Sequence, residues 1–159
     1  VKSLQKLVRG EKIELPLKGK IVPLSKVKDE VFSKGYIGKG LAIVPEEGIV
    51  TSPVDGEITT LFPTGHAIGI TSKNGAEILI HIGIDTVNLE GKYFKPLVKK
   101  GDKVKTGQKL LEFNLDKIKE AGYSTITPVV ITNSNDFTDV LTPGLNGDNL
   151  DDTLLVAVK

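Results

Sequence analysis

Both histidines of the chain lie in one stretch, 61–91, whose centre is built like a β-hairpin. Apolar and β-branched residues fill 66–71 and 78–84, and Ser72-Lys73-Asn74-Gly75 between them is a turn signal. With Lys73 and Asn74 as the central turn residues, His66 faces His81 directly. With Asn74 and Gly75 there, His66 faces Gly83 and takes His81 as its diagonal neighbour. Either register sets both imidazoles on one face, with Cβ atoms about 4.5–8 Å apart. Only an odd-length loop parts them, because a slip of one residue turns a side chain to the opposite face. Alternation along the second arm puts Ile78, Ile80, Ile82 and Ile84 towards a core and Leu79, His81, Gly83 and Asp85 towards the surface.

The remainder of the chain supports a mainly β reading. Its 159 residues suit one domain of ordinary size, with 1–10 as a lead-in or linker and 11–159 as the folded unit. Seventeen glycines and eight prolines, with few aromatic residues, suggest short strands joined by many turns. A weak internal repeat, Pro-x-x-Gly-x-Ile, occurs at Pro16–Ile21 and again at Pro53–Ile58. Each copy reads as a turn ending at a glycine able to take positive φ, from which a strand leaves. Gly101-Asp102 and Gly107-Gln108 continue that punctuation. The fold expected is an antiparallel β-sandwich or barrel of duplicated hybrid-motif type. One or two short helical turns complete it, within 27–33 and at 115–121, the latter capped by Asn114 and stopped by Gly122.

Composition excludes several classes of function. Twenty-one basic residues against twenty acidic give a net charge of +1, and no basic run exceeds two residues, so nucleic acid is not an expected partner. With no cysteine there is no disulfide framework, thiolate metal site or cysteine nucleophile, which fits the cytoplasm. No apolar run approaches the roughly 18–20 residues that span a bilayer, so direct membrane insertion is not expected. The chain contains no methionine, as an excised piece of a longer chain or a processed start would.

A pair of facing histidines has three chemical readings. Each can be an ordinary polar residue of the sheet. Zinc needs three or four ligands, and two imidazoles leave Asp85, Glu77 or a partner carboxylate to complete the shell. A lysostaphin-type metallopeptidase fails on that count, because Ile82 and Gly83 follow His81 where a His-x-His pair is required. The third reading is covalent phosphoryl transfer, in which a neutral imidazole attacks phosphorus and the second imidazole holds the phosphoryl oxygens. Gly65 and Gly83 would keep such a site open, and the Thr64 hydroxyl would fix the tautomer of His66.

The run Gly75-Ala-Glu-Ile-Leu-Ile-His81-Ile-Gly83-Ile-Asp85-Thr86-Val87 closely resembles the active-site signature of the glucose-type enzyme IIA family of the bacterial phosphoenolpyruvate-dependent sugar phosphotransferase system. Asp29–Phe32, Gly38-Lys39-Gly40, Ser52–Gly56, Phe62–Ala67, Gly101-Asp102 and Thr127–Val130 extend the resemblance over nearly the whole chain. It implies that His81 accepts phosphate from phospho-HPr and passes it to a cysteine of a IIB domain of a membrane-bound sugar permease. His66 would hold the phosphoryl group, Thr64 would orient His66, and the Gly83 carbonyl would receive the other ring N–H of His81. Val31, Phe32, Tyr36, Ile37, Phe62, Leu79 and Val87 look like the family's docking surface, with Asp29 and Asp85 set to meet basic residues of HPr. Lys39 stands where the family commonly carries an acidic residue. No cofactor is implied, though His66 and His81 could take adventitious zinc.

Two rivals share parts of this pattern. One is a IIA-like regulator whose phosphorylation controls transporters or enzymes without relaying phosphate to sugar. The other is a biotinyl or lipoyl carrier, for which Lys73 at the hairpin tip is the one candidate lysine and the flanking pattern is missing.

Overall fold

The computed structural model describes residues 10–146 and 153–158. Among them, thirteen strands form three sheets in which every pairing is antiparallel. The largest sheet uses β2 (Gly19–Pro23), β3 (Lys39–Pro45), β5 (Gly56–Leu61), β6 (Ala67–Ser72), β7 (Glu77–His81), β9 (Lys103–Val104) and β11 (Thr127–Ile131). Its order is β2-β3-β11-β7-β6-β5-β9. The second sheet has β10 (Lys109–Phe113) between β4 (Ile49–Thr51) and β8 (Phe94–Pro96), and the third has β13 (Thr153–Val158) between β1 (Gly10–Glu14) and β12 (Asp139–Leu141). Two short helices, α1 (Glu30–Ser33) and α2 (Leu115–Glu120), complete the expected mainly β architecture. The expected linker 1–10 falls outside the described residues except for Gly10, which pairs with Val158 as the first residue of β1.

The two small sheets pack over the inner face of the large one and share a core with it. Ile43, Ile58, Ile68, Ile70, Ile78, Ile80 and Ile131 from the large sheet meet Ile13, Val50, Leu110, Leu111 and Leu155 from the others. Alternation on β7 is as expected: Ile78 and Ile80 are buried, Leu79 and His81 half-buried. Beyond β7 the alternation breaks down: Ile82 is buried as expected, but Gly83, expected at the surface, is buried against Thr86 and Ser124, and Ile84 is only half-buried.

The outer face of the large sheet carries a smaller apolar cluster. Val27, Phe32 and Ala42 form it, with Leu79, Ile37 and Ile84 packed alongside. It exists because the segment between β2 and β3 folds back over the sheet. The Asp29 carboxylate accepts the Val31 N–H at 3.0 Å and caps α1, which turns Phe32 inward. Strand β11 is therefore covered on both faces, and all five of its residues are buried.

The repeated Pro-x-x-Gly-x-Ile segments do start strands, β2 and β5, but not through positive φ. Gly19 and Gly56 both lie outside the left-handed region. A Cβ at Gly19 would sit 2.1 Å from the Val44 carbonyl oxygen and one at Gly56 2.2 Å from that of Thr71, so close approach of the neighbouring strand requires glycine at both.

Candidate functional site

The β6–β7 hairpin has an odd-length loop, contrary to both sequence-based registers. Ala67 pairs with His81, Ile68 with Ile80 and Ile70 with Ile78, leaving Lys73, Asn74 and Gly75 as a three-residue connection. Gly75 has φ of +95°, and the Ser72 hydroxyl oxygen accepts the Ala76 N–H at 2.9 Å. By strict alternation this register would separate the histidines. They nonetheless meet, because His66 lies one residue outside β6, in the loop 62–66. Gly65 takes φ of +73° and its N–H bonds the Phe62 carbonyl, so the chain turns sharply just before His66 and strand alternation no longer governs its side chain. The His66 carbonyl still accepts the Ile82 N–H at 2.7 Å, which ties the loop to the end of β7.

The two imidazole rings lie edge to face, with centroids 5.1 Å apart and planes at 82°. Phe32 packs against His81 at 5.1 Å and Phe62 against the edge of His66 at 5.2 Å. Each Nδ1 is engaged: that of His81 lies 2.7 Å from the Gly83 carbonyl oxygen and that of His66 lies 2.6 Å from the Thr64 hydroxyl. A carbonyl only accepts, so the His81 proton sits on Nδ1 and Nε2 keeps its lone pair. No buried side-chain nitrogen or oxygen among the described residues lacks a partner. Neither Nε2 has one, so neither is fully buried, although His66 as a whole is only 2% exposed and His81 is half-buried.

Burial favours the neutral form of both rings. Burial, and secondarily the neighbouring His81, push the pKa of His66 down to about 4. Burial also lowers His81, while the Gly83 carbonyl and the carboxylates of Asp29 and Asp85 act in the opposite direction. Asp29 is half-buried at the start of α1, and Asp85 is exposed in the left-handed region at φ of +61°.

Of the seven apolar residues singled out from sequence, four are exposed: Val31 by 44%, Tyr36 by 72%, Phe62 by 39% and Val87 by 48%. Ile37 and Leu79 are half-buried, whereas Phe32 is buried and serves as the floor beneath His81. Lys39 is exposed at the start of β3, where its N–H bonds the Ser134 hydroxyl oxygen at 3.3 Å. No group of three or more His, Cys, Asp or Glu among the described residues could hold a metal ion. No helix among them is long and apolar enough to cross a membrane.

Sequence reasoning missed Thr86. It is fully buried and its hydroxyl donates to the Ile82 carbonyl. A Thr four residues after a carbonyl at a strand end, within a glycine-containing turn, is the signal that could have found it.

Residues 11–137 match the family model described as phosphoenolpyruvate-dependent sugar phosphotransferase system, EIIA 1. The chain belongs to this family. It is thus an EIIA of that phosphotransferase system, and the carrier-lysine reading of Lys73 is set aside. Over 127 residues it is 59% identical to the PTS system beta-glucoside-specific EIIBCA component of Bacillus subtilis (strain 168), which covers 80% of this chain but only 21% of that protein. It is 53% identical over 125 residues to the PTS system glucose-specific EIIA component of Bacillus cereus, covering 79% of this chain and 76% of the relative. Among solved structures, glucose permease IIA from Mycoplasma capricolum superposes with a TM-score of 0.76 at 39% identity, covering 79% of this chain and 82% of that one. The chain thus spans about a fifth of the length of the multidomain relative and most of the length of the single-component ones.

Proposed function

We propose that His81 is the phosphoryl acceptor of this EIIA chain, taking phosphate on Nε2 from phospho-HPr and handing it to a cysteine of a IIB domain. The observation that carries the reading is the 2.7 Å contact between His81 Nδ1 and the Gly83 carbonyl, which puts the ring proton on Nδ1 and leaves Nε2 with a lone pair. On acceptance, that lone pair forms a new P–N bond as the P–N bond to HPr breaks. The electron pair of the broken bond stays with the departing HPr imidazole. Charge that develops on the His81 ring is met at Nδ1–H by the Gly83 carbonyl and at longer range by Asp29 and Asp85. The Thr64 hydroxyl lies 2.6 Å from His66 Nδ1; in the role assigned here it donates to that nitrogen, and His66 offers Nε2–H to a phosphoryl oxygen. On donation, a IIB thiolate attacks phosphorus, the P–N bond breaks and His81 recovers its lone pair.

The transfer calls on no cofactor. Val31, Tyr36, Phe62 and Val87, all exposed, with the half-buried Ile37 and Leu79, form the surface on which HPr and IIB dock in turn. Asp29 and Asp85 add negative charge at its edge, suited to basic partner residues. This places the chain's work in the cytoplasm, facing a membrane-bound permease. Phosphorus-31 NMR after incubation with phosphoenolpyruvate, enzyme I and HPr tests the reading: a phosphohistidine resonance that disappears on adding IIB supports it.

A further inference from the structure

The hydrogen bond on which His81 depends comes from a backbone carbonyl, and a backbone carbonyl points where its peptide plane is held. The plane between Gly83 and Ile84 carries the Gly83 oxygen on one side and the Ile84 N–H on the other, since every peptide of the described chain is trans. That N–H donates to the Ser124 carbonyl at 3.1 Å. The preceding plane, between Ile82 and Gly83, is held at its carbonyl by the Thr86 hydroxyl. Thr86 is fully buried and packs where Gly83 has no side chain: a Cβ there would meet Thr86 Cγ2 at 2.5 Å and the Ser124 carbonyl at 2.7 Å. Gly83 itself sits at φ of +76°, a conformation that must be held by its surroundings.

We infer that Thr86 is a positioning residue for His81: its hydroxyl, acting with the Ser124 carbonyl, clamps the two peptide planes around Gly83. The Gly83 carbonyl is thereby fixed on His81 Nδ1. The inference rests on the proposed role of His81 for its catalytic consequence, but the geometric effect is readable without any phosphate. Without the Thr86 hydroxyl the Gly83–Ile84 plane is held only by the Ile84 N–H on the Ser124 carbonyl, and the Gly83 carbonyl can swing from His81 Nδ1. The proton of His81 then distributes between both ring nitrogens, and the fraction with a free Nε2 lone pair falls.

Thr86→Val keeps the shape of the side chain and removes the hydroxyl, while Thr86→Ser keeps the hydroxyl and removes the methyl. Nitrogen-15 NMR of the unphosphorylated chain reads the tautomer of His81 directly. We expect the Nδ1–H form in the wild type and Thr86→Ser and a mixture of tautomers in Thr86→Val. The rate of phosphate acceptance should fall about 3- to 10-fold in Thr86→Val, the loss of one net hydrogen bond, and recover in Thr86→Ser. A folded Thr86→Val with the wild-type tautomer overturns the inference, as does a folded Thr86→Ser as impaired as Thr86→Val. The wild type supplies a measurement that needs no variant. A scalar coupling between the Thr86 hydroxyl proton and the Ile82 carbonyl carbon is expected, and a rapidly exchanging, uncoupled hydroxyl contradicts the clamp. If the tautomer responds as expected yet no variant or wild type takes phosphate, the clamp stands and the assigned chemistry of His81 fails.

Discussion

His81 and His66 meet edge to face at 5.1 Å although the strand ladder pairs His81 with Ala67. Their encounter is made by the loop 62–66 rather than by cross-strand pairing, and this unequal support suits unequal roles. His81 is fixed at the end of β7 with Nδ1 on the Gly83 carbonyl; His66 is delivered from a turn with Nδ1 on Thr64.

His66→Gln separates those roles. The variant retains His81, Gly83 and the docking surface, so acceptance from phospho-HPr continues. Onward transfer to IIB loses the Nε2–H donor where charge builds up and slows by about 10²–10³-fold. Single-turnover transfer from the phosphorylated variant to a IIB domain measures it.

The low pKa of His66 predicts a pH dependence of stability with a definite sign. Above the ordinary imidazole value of 6.5 both folded and unfolded chains carry a neutral ring, and the contribution is fully present. As pH falls from there towards about 4, the unfolded chain takes up the proton and the folded one does not, so stability declines. Urea midpoints over this window should slope downward on acidification in the wild type and less steeply in His66→Gln. His81, whose pKa is also lowered, accounts for part of the remaining slope.

Two glycine substitutions separate strain from collision. Gly75→Ala meets nothing within 4 Å and costs only the left-handed backbone, about 1 kcal/mol. Gly83→Ala adds contacts of 2.5 and 2.7 Å to a similar φ and should cost at least about 2 kcal/mol while displacing the carbonyl on which His81 relies. Thermal unfolding gives the first difference, and phosphate acceptance should fall only in Gly83→Ala.

Val87, 48% exposed beside Asp85, tests the docking surface. Val87→Glu should leave the unfolding midpoint within about 0.5 kcal/mol of the wild type and raise the KM for phospho-HPr or the IIB domain by about tenfold, as for loss of an interface contact. Steady-state transfer kinetics at matched ionic strength read the change.

Much of this was legible in the sequence because it depends on local rules. The isoleucine face of β7 and the cap at Asn114 with its stop at Gly122 follow from alternation and capping, whereas the strands starting at Gly19 and Gly56 are expected for a turn reason that the close approach of neighbouring strands replaces. The hairpin register was not, because the Asn74-Gly75 signal suits a two-residue turn equally well. What sets it lies far away in sequence: Glu11 of β1 accepts from the Ser72 hydroxyl and from the Asn74 amide and so holds a longer loop. His66 and His81 are neighbours as strand parity implies, but for a different reason: His66 lies outside β6, and the turn at Gly65 delivers it. Thr86 stayed hidden because its partner is a backbone carbonyl, which leaves no mark in side-chain spacing.

The central claim is that His81 Nε2 bears the phosphoryl group, and labelling the chain with phosphoenolpyruvate, enzyme I and HPr tests it most directly. The wild type should take up acid-labile, base-stable phosphate, and His81→Ala should take up none while remaining folded. Acid-labile phosphate on a folded His81→Ala variant at the wild-type level would contradict it.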